Sequence, residues 1–79
     1  MGGVGEPASN AEIVTPDDNS DLGTVSRALY VGVSGDIAVV MSGGASIIFT
    51  GVGSGTVLPI RVKQVKATGT TASLIINLY

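Results

Sequence analysis

The stretch that decides the fold is TVLPIRVKQVKATGTTA, residues 56–72. Two apolar residues, Ile60 and Val62, alternate here with two basic ones, so an extended chain has one apolar side and one charged side. The basic residues are Arg61 and Lys63. This period of two predicts a half-buried β-strand, the fifth along the chain.

The alternation slips by one residue at Gln64. A β-bulge at 63–64 would restore it, with Val65 and Ala67 inward and Lys66 outward. Pro59 cannot donate a ladder hydrogen bond, so it belongs at the first turn of the strand or on an edge.

Outside this stretch, five short segments combine β-branched or aliphatic residues with glycine-rich or polar flanks. They are residues 12–15, 27–33, 37–41, 46–50 and 74–79. Glycine supplies the positive φ of tight turns, so 34–36 and 42–45 are predicted to be hairpin turns. No segment has a helical period. The sequence predicts an all-β fold, a small antiparallel β-sandwich or barrel of about six short strands.

The chain of 79 residues is predicted to form one domain, residues 12–79, behind a flexible N-terminal arm, residues 1–11, that lacks apolar periodicity. It contains no cysteine and no histidine, so disulfides are excluded and a zinc site is not expected. Small domains without such cross-links commonly gain stability by forming oligomers.

The charges are segregated along the sequence. Residues 1–36 contain all six acids and one base, Arg27, whereas 37–79 contain three bases and no acid, so the halves carry −5 and +3. Either opposite faces of neighbouring copies attract each other in a head-to-tail ring, or the two halves neutralise each other within one fold. The candidate interface residues are Arg61, Lys63, Lys66, Asp17, Asp18 and Asp21.

Other functions fit the residues poorly. Asp17, Asn19 and Asp21 have the spacing of a calcium loop but lack its glycine and distal glutamate, so Asx turns are expected instead. The glycines of 51–55 lead into a strand without the Lys-Ser/Thr and the helix of a phosphate loop. Nucleic-acid binding needs more basic charge and exposed aromatic residues. The sequence predicts no enzymatic activity, no cofactor, no nucleic-acid partner and no membrane span.

Several segments, in order along residues 13–79, resemble the spike base proteins of tailed phages and gene transfer agents. They are VTP at 14–16, DL at 21–22, RALYVG at 27–32, GDI at 35–37, LPIRV at 58–62 and ATGTTA at 67–72. RALYVG and ATGTTA are the most specific. Members often end in a small residue, leucine and an aromatic residue, whereas here Asn77 precedes Leu78 and Tyr79.

The resemblance implies a virion structural protein on the capsid surface that carries a spike fibre at the vertices. Its expected partners are the major capsid protein, the spike fibre protein and further copies of itself in a ring such as a pentamer. The alternatives are a capsid decoration or cement protein, a fragment of a tail or fibre protein, and a carbohydrate-binding module. Sugar modules usually present more exposed aromatic residues than this chain has.

Overall fold

The computed structural model of the chain describes residues 8–79, and within them it contains seven strands and no helix. The strands are β1 (Ala11–Ile13), β2 (Ala28–Val33), β3 (Gly35–Met41), β4 (Ser46–Val52), β5 (Thr56–Leu58), β6 (Val62–Val65) and β7 (Ser73–Leu78). The predicted all-β class is confirmed, with one strand more than expected.

The strands form two antiparallel sheets. Sheet A has the order β1-β7-β2-β5, and sheet B has the order β4-β3-β6. The inward side chains of both sheets meet in one aliphatic core, as in a β-sandwich. The buried core residues are Val14, Leu29, Val31, Ile37, Val39, Val52, Val62, Val65, Ala72 and Ile75.

The predicted fifth strand is in fact two strands that belong to different sheets. β5 pairs with β2 in sheet A, whereas β6 pairs with β3 in sheet B. The chain crosses between the sheets around Pro59, where the amide of Ile60 donates to the carbonyl of Leu58 at 2.8 Å. Proline fixes φ near the value of an inverse γ-turn and cannot donate to a ladder, so it ends β5.

The predicted bulge in β6 is confirmed. Val40 pairs with Gln64, but the next residue of β3, Met41, pairs with Val62. The extra residue on β6 is therefore Lys63, at the position where the sequence pattern slips. Val65 is buried as expected, whereas Ala67 lies beyond the strand and is exposed.

The two predicted hairpin turns differ in outcome. The turn at 42–45 does join the paired strands β3 and β4. At 34–36, however, the chain passes from sheet A to sheet B, so β2 and β3 do not form a hairpin. Gly35 is required there for space as well as conformation, since a Cβ atom would lie 2.5 Å from the amide nitrogen of Ala72.

The ATGTTA segment, residues 67–72, connects β6 of sheet B to β7 of sheet A and fastens itself to β3. The hydroxyl of Thr71 accepts a hydrogen bond from the amide of Asp36 at 2.8 Å. The hydroxyl of Thr70 accepts one from the amide of Ala38 at 3.0 Å. The hydroxyls of these two threonines therefore hold the loop in place.

The predicted arm, residues 1–11, lies mostly outside the described residues. At its described end, the amides of Ser9 and Asn10 both donate to the carbonyl of Tyr79 at 3.0 Å. Strand β1 starts at Ala11, one residue before the predicted strand, and pairs with β7.

Ser26 joins the segment before β2 to the segment that crosses between the sheets. Its fully buried hydroxyl donates to the carbonyl of Ile60 at 2.8 Å and accepts from the amide of Val62 at 3.0 Å. A single side chain thus satisfies a backbone donor and a backbone acceptor where the ladder of sheet B begins.

We expect Ser26→Ala to lower the free energy of unfolding by about 1–3 kcal/mol, because it strands buried backbone groups without hydrogen-bond partners. Urea unfolding measures the loss. The control is Ser42→Ala in the exposed turn after β3, which should leave stability within error of the wild type. Equal stability of the two variants would contradict a structural role for the Ser26 hydroxyl.

Candidate functional site

The six charged residues named from the sequence lie together within one chain. The segment 14–26 runs beside the edge of β6 that does not face β3: the amide of Asp17 donates to the carbonyl of Val65 at 2.9 Å, and that of Leu22 to the carbonyl of Lys63 at 2.7 Å. We call this region the charged edge. It comprises Asp17, Asp18, Asp21, Arg61, Lys63 and Lys66, the three acids exposed and the three bases half-buried.

Asp18 has partners inside its own chain. Its carboxylate accepts a hydrogen bond from the hydroxyl of Thr68 at 2.6 Å and another from the amide of Thr68 at 3.0 Å. The hydroxyl bond, followed by the amide bond, lowers the pKa of Asp18 below its ordinary value, and the nearby positive charge of Lys66 adds a smaller effect. Asp18 therefore ties the acidic loop to the ATGTTA segment.

Asp17 shapes the loop rather than holding a cation. Its carboxylate accepts from the amide of Asn19 at 2.8 Å, which is the predicted Asx turn. The side-chain amide of Gln64 donates to the backbone carbonyl of Asp17 at 3.0 Å. Nowhere in residues 8–79 do three or more carboxylate, imidazole or thiol groups converge as a metal site would require.

The charged edge thus brings opposite charges side by side within one fold. The effect of Lys66 on Asp18 supports neutralisation inside the chain, and both alternatives that the sequence left open stay predictions. A role of these six residues between separate molecules stays a prediction.

A groove opens beside the charged edge on the outer side of sheet B. It has a volume of about 640 Å³. Its apolar part comes from β3 and β4, where Ile48 lies beside Ala38 on the outer side and is about half exposed, and its polar end comes from the charged edge. The lining residues are Asp18, Ala38, Val39, Ser46, Ile47, Ile48, Lys66 and Thr68. β4 is also the terminal strand of sheet B.

The outer side of sheet A is apolar across all four strands. Ile13 pairs with Ile76, Ile76 with Tyr30, and Tyr30 with Val57, so these four side chains form one row across the sheet. No acidic or basic side chain lies on this side among the described strands. We call it the apolar face; its residues are Ala11, Ile13, Ala28, Tyr30, Gly32, Val57, Leu74, Ile76 and Leu78.

The sequence pattern contained a signal for this face. β2 (ALYVGV) contains no charged or amide side chain, and in β7 (SLIINL) the three consecutive residues Leu74, Ile75 and Ile76 are apolar, not every second one. Strands of that kind are typically covered on both sides. Among residues 8–79, sheet B covers one side of sheet A, and the other side is exposed, as a surface that binds a partner would be.

Asn77 is an exception within β7. It is buried on the inner side, where its side-chain nitrogen donates to the carbonyl of Thr24 at 2.9 Å. Its side-chain oxygen has no hydrogen-bond partner. Such an oxygen costs free energy unless a water molecule reaches it.

Within residues 8–79, no helix has the length and hydropathy needed to cross a bilayer. A scan against protein-family models gave no match. A search of curated proteins also gave no match.

One solved structure is similar over the whole chain. It is a chain from the capsid of a native gene transfer agent particle, computed with C5 symmetry. The two chains are 33% identical, the alignment covers 100% of this chain and 92% of the other, and the TM-score is 0.88. The similarity therefore extends over both sheets and the crossings between them.

We expect the pKa of Asp18, followed by NMR titration of its carboxyl carbon, to lie below the ordinary aspartate value, and Thr68→Val to raise it toward that value. The variant loses the hydroxyl donor that favours the ionised form. Thr50→Val, an exposed threonine of β4, is the control and should leave the pKa unchanged. The contribution of Asp18 to stability should be full above the ordinary carboxyl pKa and disappear as pH falls through the lowered one. An identical Asp18 titration in both variants would contradict the assignment.

Proposed function

The chain belongs to the family of the gene transfer agent capsid component to which its whole length aligns, and from this membership we propose that it is a virion structural protein, the base of a spike on the capsid surface. The observation that carries the proposal is the full-length similarity at 33% identity. At this identity and coverage, the two chains share an entire domain, so a shared role in the particle is the simplest inference.

The finer role as a spike base rests on the segments that resemble that group. RALYVG forms strand β2 in the middle of sheet A, and ATGTTA forms the loop that fastens sheet B to sheet A. Both are structural elements, with no reactive side chain among them. In the proposed role, the protein acts by binding, and we propose no enzymatic step.

In this proposal, several copies assemble on the shell, each contacting the major capsid protein, and together they hold a spike fibre. The charged edge is a reasonable contact with the shell, because its acids are exposed and its bases are half-buried. Surface ion pairs of this kind guide orientation and on-rate more than they add affinity.

Electron cryomicroscopy of particles produced with and without this chain tests the proposal. Without the chain, we expect the shell to remain closed and both the spike base and the fibre to disappear from the vertices. Adding the purified chain should restore the base density. If density is lost evenly over the whole shell while fibres remain, the chain is a decoration protein. If the particles do not change, the virion role itself is wrong.

We expect attachment to purified shells to weaken between 0.1 and 1 M salt, because the Debye length falls from about 10 Å to about 3 Å. The double variant Lys63→Glu and Lys66→Glu should weaken it already at low salt, as measured by co-sedimentation with shells that lack the chain. Ser42→Lys, outside the charged edge, is the control. Attachment that ignores both salt and the double reversal would remove the charged edge from the shell contact.

A further inference from the structure

Leu74 stands out on the apolar face. It is a non-glycine residue with a positive φ, 53°, and its side chain is 66% exposed. Leucine is disfavoured in the left-handed region, because its Cβ atom crowds the following carbonyl. Strained residues of this kind persist where the surrounding structure holds them, and they concentrate at functional positions.

The neighbour of Leu74 in the sheet contributes to this conformation. Gly32 lies beneath it, and a Cβ atom on Gly32 would come within 2.7 Å of the Cβ of Leu74 and 2.9 Å of its carbonyl oxygen. The close approach of β7 to β2 at this point leaves the leucine side chain directed away from the sheet. An apolar knob thus projects from a flat apolar surface.

The groove on sheet B is the other apolar feature on the outside of the sandwich. Ile48 lies beside Ala38 in the ladder, on the outer side of sheet B, and the apolar part of the groove is formed around these residues. Because the two sheets pack through their inner sides, the knob and the groove are directed to opposite sides of the molecule. No chain can insert its own Leu74 into its own groove.

We propose that the apolar face of one copy, with Leu74 as its anchor, packs into the groove around Ile48, on the outer side of sheet B, of the next copy of the same chain. A head-to-tail assembly needs two different surfaces on each copy, and this chain presents one on each sheet; the assembly is a ring where the rotation from one copy to the next closes a full turn. A buried apolar anchor in a pocket is also the usual centre of a stable interface. The inference rests on the proposed assembly of several copies and assigns its interface.

This assignment separates contact between copies from contact with the shell, two functions that the sequence analysis had placed on the same charged residues. In this proposal, neighbouring copies join through apolar contacts, whereas the charged edge remains available beside the groove. The mass of the assembly should therefore persist at 1 M salt, under conditions that weaken attachment to the shell.

The test uses two variants that each damage one surface. Leu74→Asn removes the knob. Asparagine tolerates a positive φ better than leucine does, so the substitution adds no backbone strain at position 74. Ile48→Lys puts a charge in the groove at a half-exposed position. By native mass spectrometry, we expect the wild type and the control Ser42→Lys to form a closed assembly and each variant alone to be a single chain. Circular dichroism should show the same β-structure in all four proteins.

Mixing the two variants gives the decisive result. The Leu74→Asn chain keeps its groove and the Ile48→Lys chain keeps its knob, so an equimolar mixture should form a dimer with one copy of each. A wild type of single-chain mass, an Ile48→Lys chain that dimerises with itself, a Leu74→Asn chain that assembles like the wild type, or a mixture without heterodimer overturns the proposed interface. None of these outcomes depends on shells, so the spike-base proposal is tested separately by the particle images.

Discussion

The constraint on which the rest of the structure depends is that β6 forms backbone hydrogen bonds along both of its edges. One edge pairs with β3, and the other receives amide donors from the segment before β2. Asp17, Leu22 and Ser26 donate to the carbonyls of Val65, Lys63 and Val62. An unpaired edge would invite another chain, and a buried unpaired carbonyl would cost free energy. Satisfying this edge draws the acidic loop against β6, which contains Lys63 and lies between Arg61 and Lys66, so charges that are far apart in sequence become neighbours in space.

Features that depend on neighbouring residues could be predicted from the sequence. The bulge at Lys63 follows from a slip in alternation within six residues, and the turn at 42–45 follows from two adjacent glycines. The crossings at Pro59 and Gly35 were not predictable in the same way. Alternation shows that a segment is extended, but the sheet that it joins is decided by distant partners. For this reason, one apparent strand proved to be two, and one apparent hairpin proved to be a passage between sheets.

The candidate site was predicted in part. Charge segregation identified six residues that do lie together, but the sequence alone could not show that they meet within one chain. The sequence analysis did not predict the apolar face, because the alternation rule expects each strand to have one apolar side, the side that faces the core. The continuous apolar runs of β2 and β7 were the available signal, and Tyr30 is the one aromatic side chain on that face. If the proposed interface is right, the isolated chain is an incomplete unit, and neighbouring copies cover this outer surface.

Asn77 gives β7 a unique alignment. A strand that is apolar on both sides can slide by one residue with little loss of burial, because its two sides are nearly interchangeable. Here the slide would move the amide of Asn77 away from the carbonyl of Thr24 and out onto the apolar face. Its unpartnered oxygen lowers stability somewhat, yet the residue makes the two sides distinguishable. Asn77 therefore fixes the register of β7, a strand that packs against the core on one side and, in the proposed assembly, against a neighbouring copy on the other.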